Sequence, residues 1–380
     1  MGSSRSCTGI VAASEAKGVA MSKRLTFGAY ALPSYHAESD PPQADFVRQQ
    51  LDLLAAADSL GFDSVWINEH HFDSWGGLMS APHLILAGLS QRTEHIRLGT
   101  SIAVLGLHHP LATAEQMATL DLMSGGRLEF GIGRGSEPFD YETYGVDYAE
   151  AQGRTEEALD VILAAWTNKR FSHSGTYFEV HDVELWPSPK QQPHPPVWVS
   201  CSSTRSSFEW TARRGYNLLT LGFPRPVPAF AETVRMYRDE WQAVGRDPAD
   251  YQIGTLYHTI VCEKSEDARD LAARCFARFL AGLRHSALRP TRFSQVGRAS
   301  AALADLDMAA LIHQARLIAG NPQEVADMLR YLQSEIGFTH LNHMFQFGGL
   351  SFELAQQSMA LYAAEVMPRL RATTAPPLAV

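Results

Sequence analysis

The chain has 380 residues, enough for one large α/β barrel with insertions or for two domains, and its 45% hydrophobic, 19% charged composition can fill a sizeable core. A net charge of −9 opposes general binding to nucleic acid or acidic membranes, because a phosphate surface demands a basic footprint. No apolar run approaches the roughly 20 residues that span a bilayer. The four cysteines, Cys7, Cys201, Cys262 and Cys275, lie far apart with no C-x-x-C pair, which argues against a disulfide framework and for free thiols in a reducing cytoplasm.

Residues 1–21 are small, polar and aperiodic, and are read as a poorly ordered extension, with Met21 as an alternative start. Beyond them strands and helices alternate. A strand at Leu25–Tyr30 is followed by an amphipathic helix at Ala44–Leu60, closed by Gly61. Next come a strand at Phe62–Asn68, a helix at Pro82–Gln91, a strand at Ile96–Leu105 and a helix at Leu111–Met123. A strand at Arg127–Gly133 and a helix at Gly153–Trp166 precede a β-excursion at Phe171–Trp186, turning at Ser174–Gly175. Alternation resumes with a strand at Val197–Ser200, a helix at Thr204–Arg214, a strand at Tyr216–Leu221 and a helix at Ala229–Val244. A strand at Gln252–Val261 and a helix at Ser265–Leu283 lead to residues 284–306, which are polar, lack a clean period and are read as a mobile lid. "NPQE" at Asn321 signals a helix to Ile336, before a last strand at Phe338–Phe345 and a helix from about Leu350 to Leu370.

Eight strand–helix units in sequence call for parallel strands and favour a closed (β/α)8 barrel. A doubly wound open sheet is the competitor, weakened because no Gly-x-Gly-x-x-Gly follows the first strand. The expected layout is one barrel domain over residues 22–373, with a short tail at 374–380. The helix at Pro82–Gln91 is apolar nearly all round, so it and Ala112–Met123 are expected to pack against their counterparts in a two-fold homodimer.

Barrel chemistry gathers at the carboxyl ends of the strands. "VWINEHHFDSWG" ends the second strand in Glu69, His70 and His71. Successive side chains of an extended chain face opposite ways, so the two histidines do not readily share an ion. The H-E-x-x-H spacing is absent too, and no metal is expected. One imidazole is expected to face the pocket as a proton donor or acceptor, the other to hydrogen-bond in the rim. In "RLEFGIGRGSE", Gly133 and Gly135 flank Arg134, either as an ordinary turn or as a guanidinium fork for phosphate. "VSCSSTRSSFE" sets six hydroxyl residues where the fifth strand meets its helix, more than one N-cap requires. The neighbouring position of these two elements lets both grip one phosphate. His108 and His109, in "LGLHHP", read as loop packing or surface.

"GFDSVWINEHHF", "LGTSIAVLGLHHPLATAEQMATLDLMSGGRLEFGIGRG", "VWVSCSSTRSSFEWTARRG" and "GNPQEVADMLR" together resemble the bacterial luciferase-like family of flavin-dependent monooxygenases, over residues 24 to about 371. The resemblance implies a barrel holding reduced FMN over its strand ends. By motif position it makes His70 the pocket histidine and Glu69 a carboxylate that orients it, with Arg134, Thr204 and Ser207 at the cofactor phosphate. It puts Ser203 where luciferase has an acid, and Gly133 where luciferase has a reactive cysteine. It also implies a non-prolyl cis peptide joining Ser101 to Ile102 beneath the flavin. The implied activity uses dioxygen to oxygenate a small organic substrate, with reduced FMN supplied by a separate flavin reductase. Two alternatives stand beside it: a deazaflavin-dependent hydride-transfer enzyme on the same barrel, and a non-catalytic flavin-binding protein.

Overall fold

The computed structural model describes residues 24–202, 204–291 and 306–371. The expected extension, the tail, Ser203 and most of the segment read as a lid lie outside the described residues.

The strands are β1 (Thr26–Ala31), β2 (Ser64–Ile67), β3 (Arg97–Thr100), β4 (Ala103–Val104), β5 (Leu128–Gly133), β6 (Phe171–Ser174), β7 (Glu179–Val183), β8 (Val197–Ser200), β9 (Asn217–Leu221), β10 (Ile253–Val261), β11 (Ile318–Gly320) and β12 (His340–Met344). The helices are α1 (Gln43–Ser59), α2 (Pro82–Ser90), α3 (Pro110–Met123), α4 (Pro138–Thr143), α5 (Ala151–Thr167), α6 (Arg205–Arg214), α7 (Val227–Ala243), α8 (Ser265–Ala287), α9 (Met308–His313), α10 (Pro322–Ile336), α11 (Phe352–Leu361) and α12 (Met367–Arg371).

Parallel pairing runs β1–β2–β3–β5–β8–β9–β10–β12 and closes from β12 back to β1, with Thr26 opposite His340 and Ala29 opposite His343. Eight strands in a ring make the expected (β/α)8 barrel. Every residue of β5 and of the nine-residue β10 is buried, as strands covered on both faces require. β10 outruns the ring and pairs its last three residues with β11 outside it. The excursion after α5 is the antiparallel hairpin β6–β7. Its turn is clamped by Glu157, whose carboxylate accepts the backbone N–H groups of Thr176, Tyr177 and Phe178.

Local signals explain several boundaries. Asn321 caps α10 by accepting the Glu324 N–H at 3.0 Å, Pro322 opens it, and Gly337 ends it at φ 70°. The continuous strand expected at Ile96–Leu105 is instead broken. β3 stops at Thr100, the Ser101–Ile102 peptide is cis, and β4 adds two residues before a 3-10 turn. α8 runs four residues past the expected end at Leu283, to Ala287.

The amino-terminal end of the barrel is shut by large polar-tipped rings. Trp66 and Trp198 meet edge to face at 5.3 Å. The Trp66 indole donates to Ser64 at 2.7 Å and that of Trp198 to Glu129 at 2.6 Å, so both N–H groups are satisfied in the core. A Cβ on Gly99 would fall 2.2 Å from the Trp66 ring, so only glycine admits that ring here. The opposite end carries the candidate site.

Candidate active site

β2 delivers Asn68, Glu69, His70 and His71 to the carboxyl-terminal mouth. Residues 69 and 71 share a face, and both are buried. One Glu69 oxygen accepts from His71 Nε2 at 3.0 Å and from His108 Nε2 at 2.5 Å, and the other accepts the Val104 N–H at 2.9 Å. Burial alone would raise the Glu69 pKa, but these three donors outweigh it and hold it at about 2. The carboxylate is therefore ionised and both imidazoles donate to it. His71 Nδ1 then accepts from the Tyr144 hydroxyl at 3.3 Å. Glu69 was expected to orient His70; its partners are His71 and His108 instead. His108, expected to be packing or surface, is a member of this cluster. His109 does serve the loop, taking the Leu111 N–H at the start of α3.

His70 stands apart from that network. Its ring lies 4.7 Å from Trp75 and against Gly76, where a Cβ would approach the imidazole to 3.0 Å. Among the described residues it has no hydrogen-bond partner, and burial depresses its pKa to about 4, so it is neutral at pH 7. Around it, Ser34 Oγ, Asn68 Oδ1 and Trp75 Nε1 are buried polar atoms without a hydrogen-bond partner among the described residues. A site with unspent donors and acceptors beside a neutral imidazole suits a polar ligand. Trp75 continues the wall to Phe279 at 5.8 Å, which packs on His258 at 4.4 Å.

The fourth and fifth barrel strands, β5 and β8, pair side by side with Ile132 opposite Val199. A Cβ on Gly133 would come within 3.4 Å of Ser200, and one on Gly131 would strike the Thr100 carbonyl oxygen at 1.9 Å. Arg134 emerges exposed at the end of β5, its guanidinium 5.3 Å over the Tyr148 ring. After β8, Thr204 stands at the N-cap of α6 with no side-chain capping bond, and is exposed, with Ser207 half-buried in the first turn. A helix N-terminus and an exposed guanidinium leaving from adjacent strand ends suit an anion such as a phosphate. Ser101, on the cis peptide, is half-buried, and its carbonyl accepts the Tyr30 hydroxyl at 2.9 Å. Cys201, behind the rim, is buried, bonded to Thr211 and pushed up to about 12, so it is an inert thiol.

Sequence reading also missed Arg289. Just past α8, it reaches the carbonyls of His71 and Phe72 at 3.3 Å each and Asp140 at 3.2 Å, and stacks on Phe139 at 4.3 Å. Asp73, at 3.4 Å, adds charge attraction. Arg289 thus ties the loop after β2 to the loop after β5. A lone arginine in a polar stretch carries no periodic signal that could have exposed this role.

A cleft of about 670 Å³ lies on the flank between β10, α8 and α11, lined by Cys262, Asp267, Leu271 and Leu354 among others, and includes none of these rim residues.

A family model described as luciferase-like monooxygenase matches residues 25–340. Limonene 1,2-monooxygenase of Rhodococcus erythropolis is 30% identical, over 92% of this chain and 89% of its own length. The oxygenase component of flavin-dependent trigonelline monooxygenase from Acinetobacter baylyi is also 30% identical, over 60% of this chain and 62% of its own. Among solved structures, a monooxygenase from Streptomyces bottropensis superposes with a TM-score of 0.80 at 25% identity, covering 90% of this chain and 99% of that one. The oxygenating constituent of 3,6-diketocamphane monooxygenase from Pseudomonas putida, in complex with FMN, gives 0.74 at 20% identity, over 91% and 98%. An F420-dependent secondary alcohol dehydrogenase gives 0.70 at 17% identity, over 91% and 99%.

Proposed function

The chain belongs to the luciferase-like monooxygenase family, and from that premise we propose that it is the oxygenase of a two-component system. It takes reduced FMN from a separate flavin reductase and uses dioxygen to oxygenate a small organic substrate. The observation that carries the reading is that β5 and β8 pair side by side, so that exposed Arg134 at the end of β5 and the turn from β8 into α6 leave from neighbouring strands at the mouth. Arg134, Ser203, Thr204 and Ser207 would hold the cofactor phosphate, with Ser101 beneath the ring system. The bound flavin supplies the activation of dioxygen.

The protein's own part is positioning, dryness and proton control. Gly131 and Gly133 let the Thr100 carbonyl and the Ile102 side chain, either side of the cis peptide, pack directly against β5 and so fix the segment that carries Ser101. Trp75 and Phe279 exclude water above the pocket. His70, neutral and without a protein partner, can take or hold a proton at a ring nitrogen near the reacting substrate. Glu69 acts at one remove: anchored by His71, His108 and Val104, it fixes the backbone that carries His70.

A relative named as an oxygenase component supports the reductase partnership, and a protein on the same barrel carries FMN. Work in the cytoplasm beside that reductase belongs to the same proposal; no described helix is long and apolar enough to cross a membrane. A second reading, hydride transfer with a deazaflavin, draws on the F420-dependent alcohol dehydrogenase that shares the barrel. Anaerobic titration of the protein with reduced FMN and, in parallel, with reduced deazaflavin separates the two. The expected result is saturable binding of reduced FMN, then oxygen consumption coupled to oxygenated product across a panel of carbonyl substrates. Binding of the deazaflavin alone, with no oxygen uptake, would replace the first reading by the second.

A further inference from the structure

We propose that Glu69, His71 and His108 form a binding site for one divalent transition-metal ion of the zinc class, open on its His108 side. One ligand atom from each of Glu69, His71 and His108 lies within 4.8 Å of the other two. An ion with bonds near 2.0–2.1 Å to tetrahedral ligands holds them roughly 3.3 Å apart. The His71–Glu69 contact at 3.0 Å is already close to that spacing. The His108–Glu69 contact at 2.5 Å must open by several tenths of an ångström, and His108 can move, because its side chain is 37% exposed against 8% for His71 and 3% for Glu69.

The surrounding contacts are those of a metal site. The second Glu69 oxygen is held by the Val104 N–H and the second His71 nitrogen by the Tyr144 hydroxyl, so the ligating atom of each is fixed from behind. Both imidazoles present Nε2 to a single carboxylate oxygen, and one cation can take the place of the protons these nitrogens donate to it, His71 then carrying its proton on Nδ1 and donating it to the Tyr144 hydroxyl. Two imidazoles and one carboxylate select zinc, cobalt or nickel over calcium or magnesium, which prefer oxygen ligands. Residues 69 and 71 flank His70 in the chain, so a bound ion would stiffen the backbone that sets the pocket histidine. The site stands independently of which flavin the barrel uses.

The test uses the full chain, untagged and chelator-treated, titrated with zinc(II) by calorimetry and with cobalt(II) by visible absorption. One ion per chain should bind at micromolar affinity or tighter, with the intense d–d bands of low-coordinate cobalt. His108→Ala and His71→Ala should each weaken uptake at least tenfold, while exposed His95→Ala leaves it unchanged. Zinc should raise the melting midpoint of the wild type but not of His108→Ala. Should His71→Ala fail to fold, the partly exposed His108→Ala and His108→Gln carry the test. Absence of saturable uptake by the wild type, or uptake undiminished in the His108 variants, would overturn the proposal and leave a metal-free hydrogen-bonded cluster.

Discussion

His70 and His71 are neighbours on one backbone but differ in what holds their rings. His71 is pinned at both nitrogens, by Glu69 and Tyr144, whereas His70 touches Trp75 and keeps its nitrogens for a ligand. His70→Ala should leave flavin affinity nearly unchanged while coupled turnover falls about 10²–10⁴-fold, the range for a lost acid–base group. Steady-state kinetics with a peroxide assay would check this, since reduced oxygen should escape as hydrogen peroxide. His71→Ala should instead cost about 1–3 kcal/mol of stability by removing one of the three donors to the buried Glu69 carboxylate, read from urea melts. The alternation of an extended chain was legible in "EHH", and it separates the two histidines. The same rule pairs Glu69 with His71, two residues apart, but that pairing is chemically visible only once His108 arrives from a loop 37 residues away. No local pattern in the sequence carries such a contact.

Among the elements, the wall formed by β5 and the start of α6 bears most directly on the cofactor. Gly131→Ala would drive a methyl group into the Thr100 carbonyl and should destabilise the chain by about 3 kcal/mol or more, or abolish folding, as measured by denaturant unfolding. Arg134→Ala, on an exposed residue, should leave unfolding unchanged and weaken flavin binding by about 1–3 kcal/mol, measured by fluorescence titration. Both elements were readable: glycines around an arginine and a cluster of hydroxyls ahead of a helical period are local signals. The break after β3 was not readable from periodicity, because "LGTSIAVL" keeps its apolar content through the cis peptide and the change of direction. β11 is three residues long and pairs outside the ring, too short to stand out from the loop around it.

At the scale of the molecule, three more histidines besides His70 are buried neutral in the barrel. Burial lowers His340 to about 4 and His258 and His343 to about 3. Their folded pKa values lie below the unfolded value near 6.5, so the unfolded chain binds more protons once the pH drops below that point. Stability should be level in this respect above pH 6.5 and fall from there toward pH 4, by up to about 1.4 kcal/mol per pH unit for each histidine. Melting midpoints from pH 8 to 4 would show the slope, and His258→Leu should lessen it. Self-association is a separate matter. Leu84 on α2 is 65% exposed, and Leu122 and Met123 at the end of α3 are 47% and 45% exposed, an apolar face that fits the proposed homodimer. Leu84→Asp should convert the dimer to monomer in sedimentation; a wild type that sediments as a monomer at micromolar concentration would remove the proposal.

Because the eight strands return to their starting point, the ring has no first or last member, and apart from the three-residue β11 that pairs outside it, it offers no row of unpaired backbone groups to another chain. The folded molecule can therefore recruit copies of itself through side chains on helices, but not by extending the ring. Acid reverses that protection. When the buried histidines take up protons and the ring parts, two long, apolar strand borders come into being together. The acid transition should then be accompanied by light scattering that rises steeply with protein concentration, and quick neutralisation should rescue dilute samples better than concentrated ones.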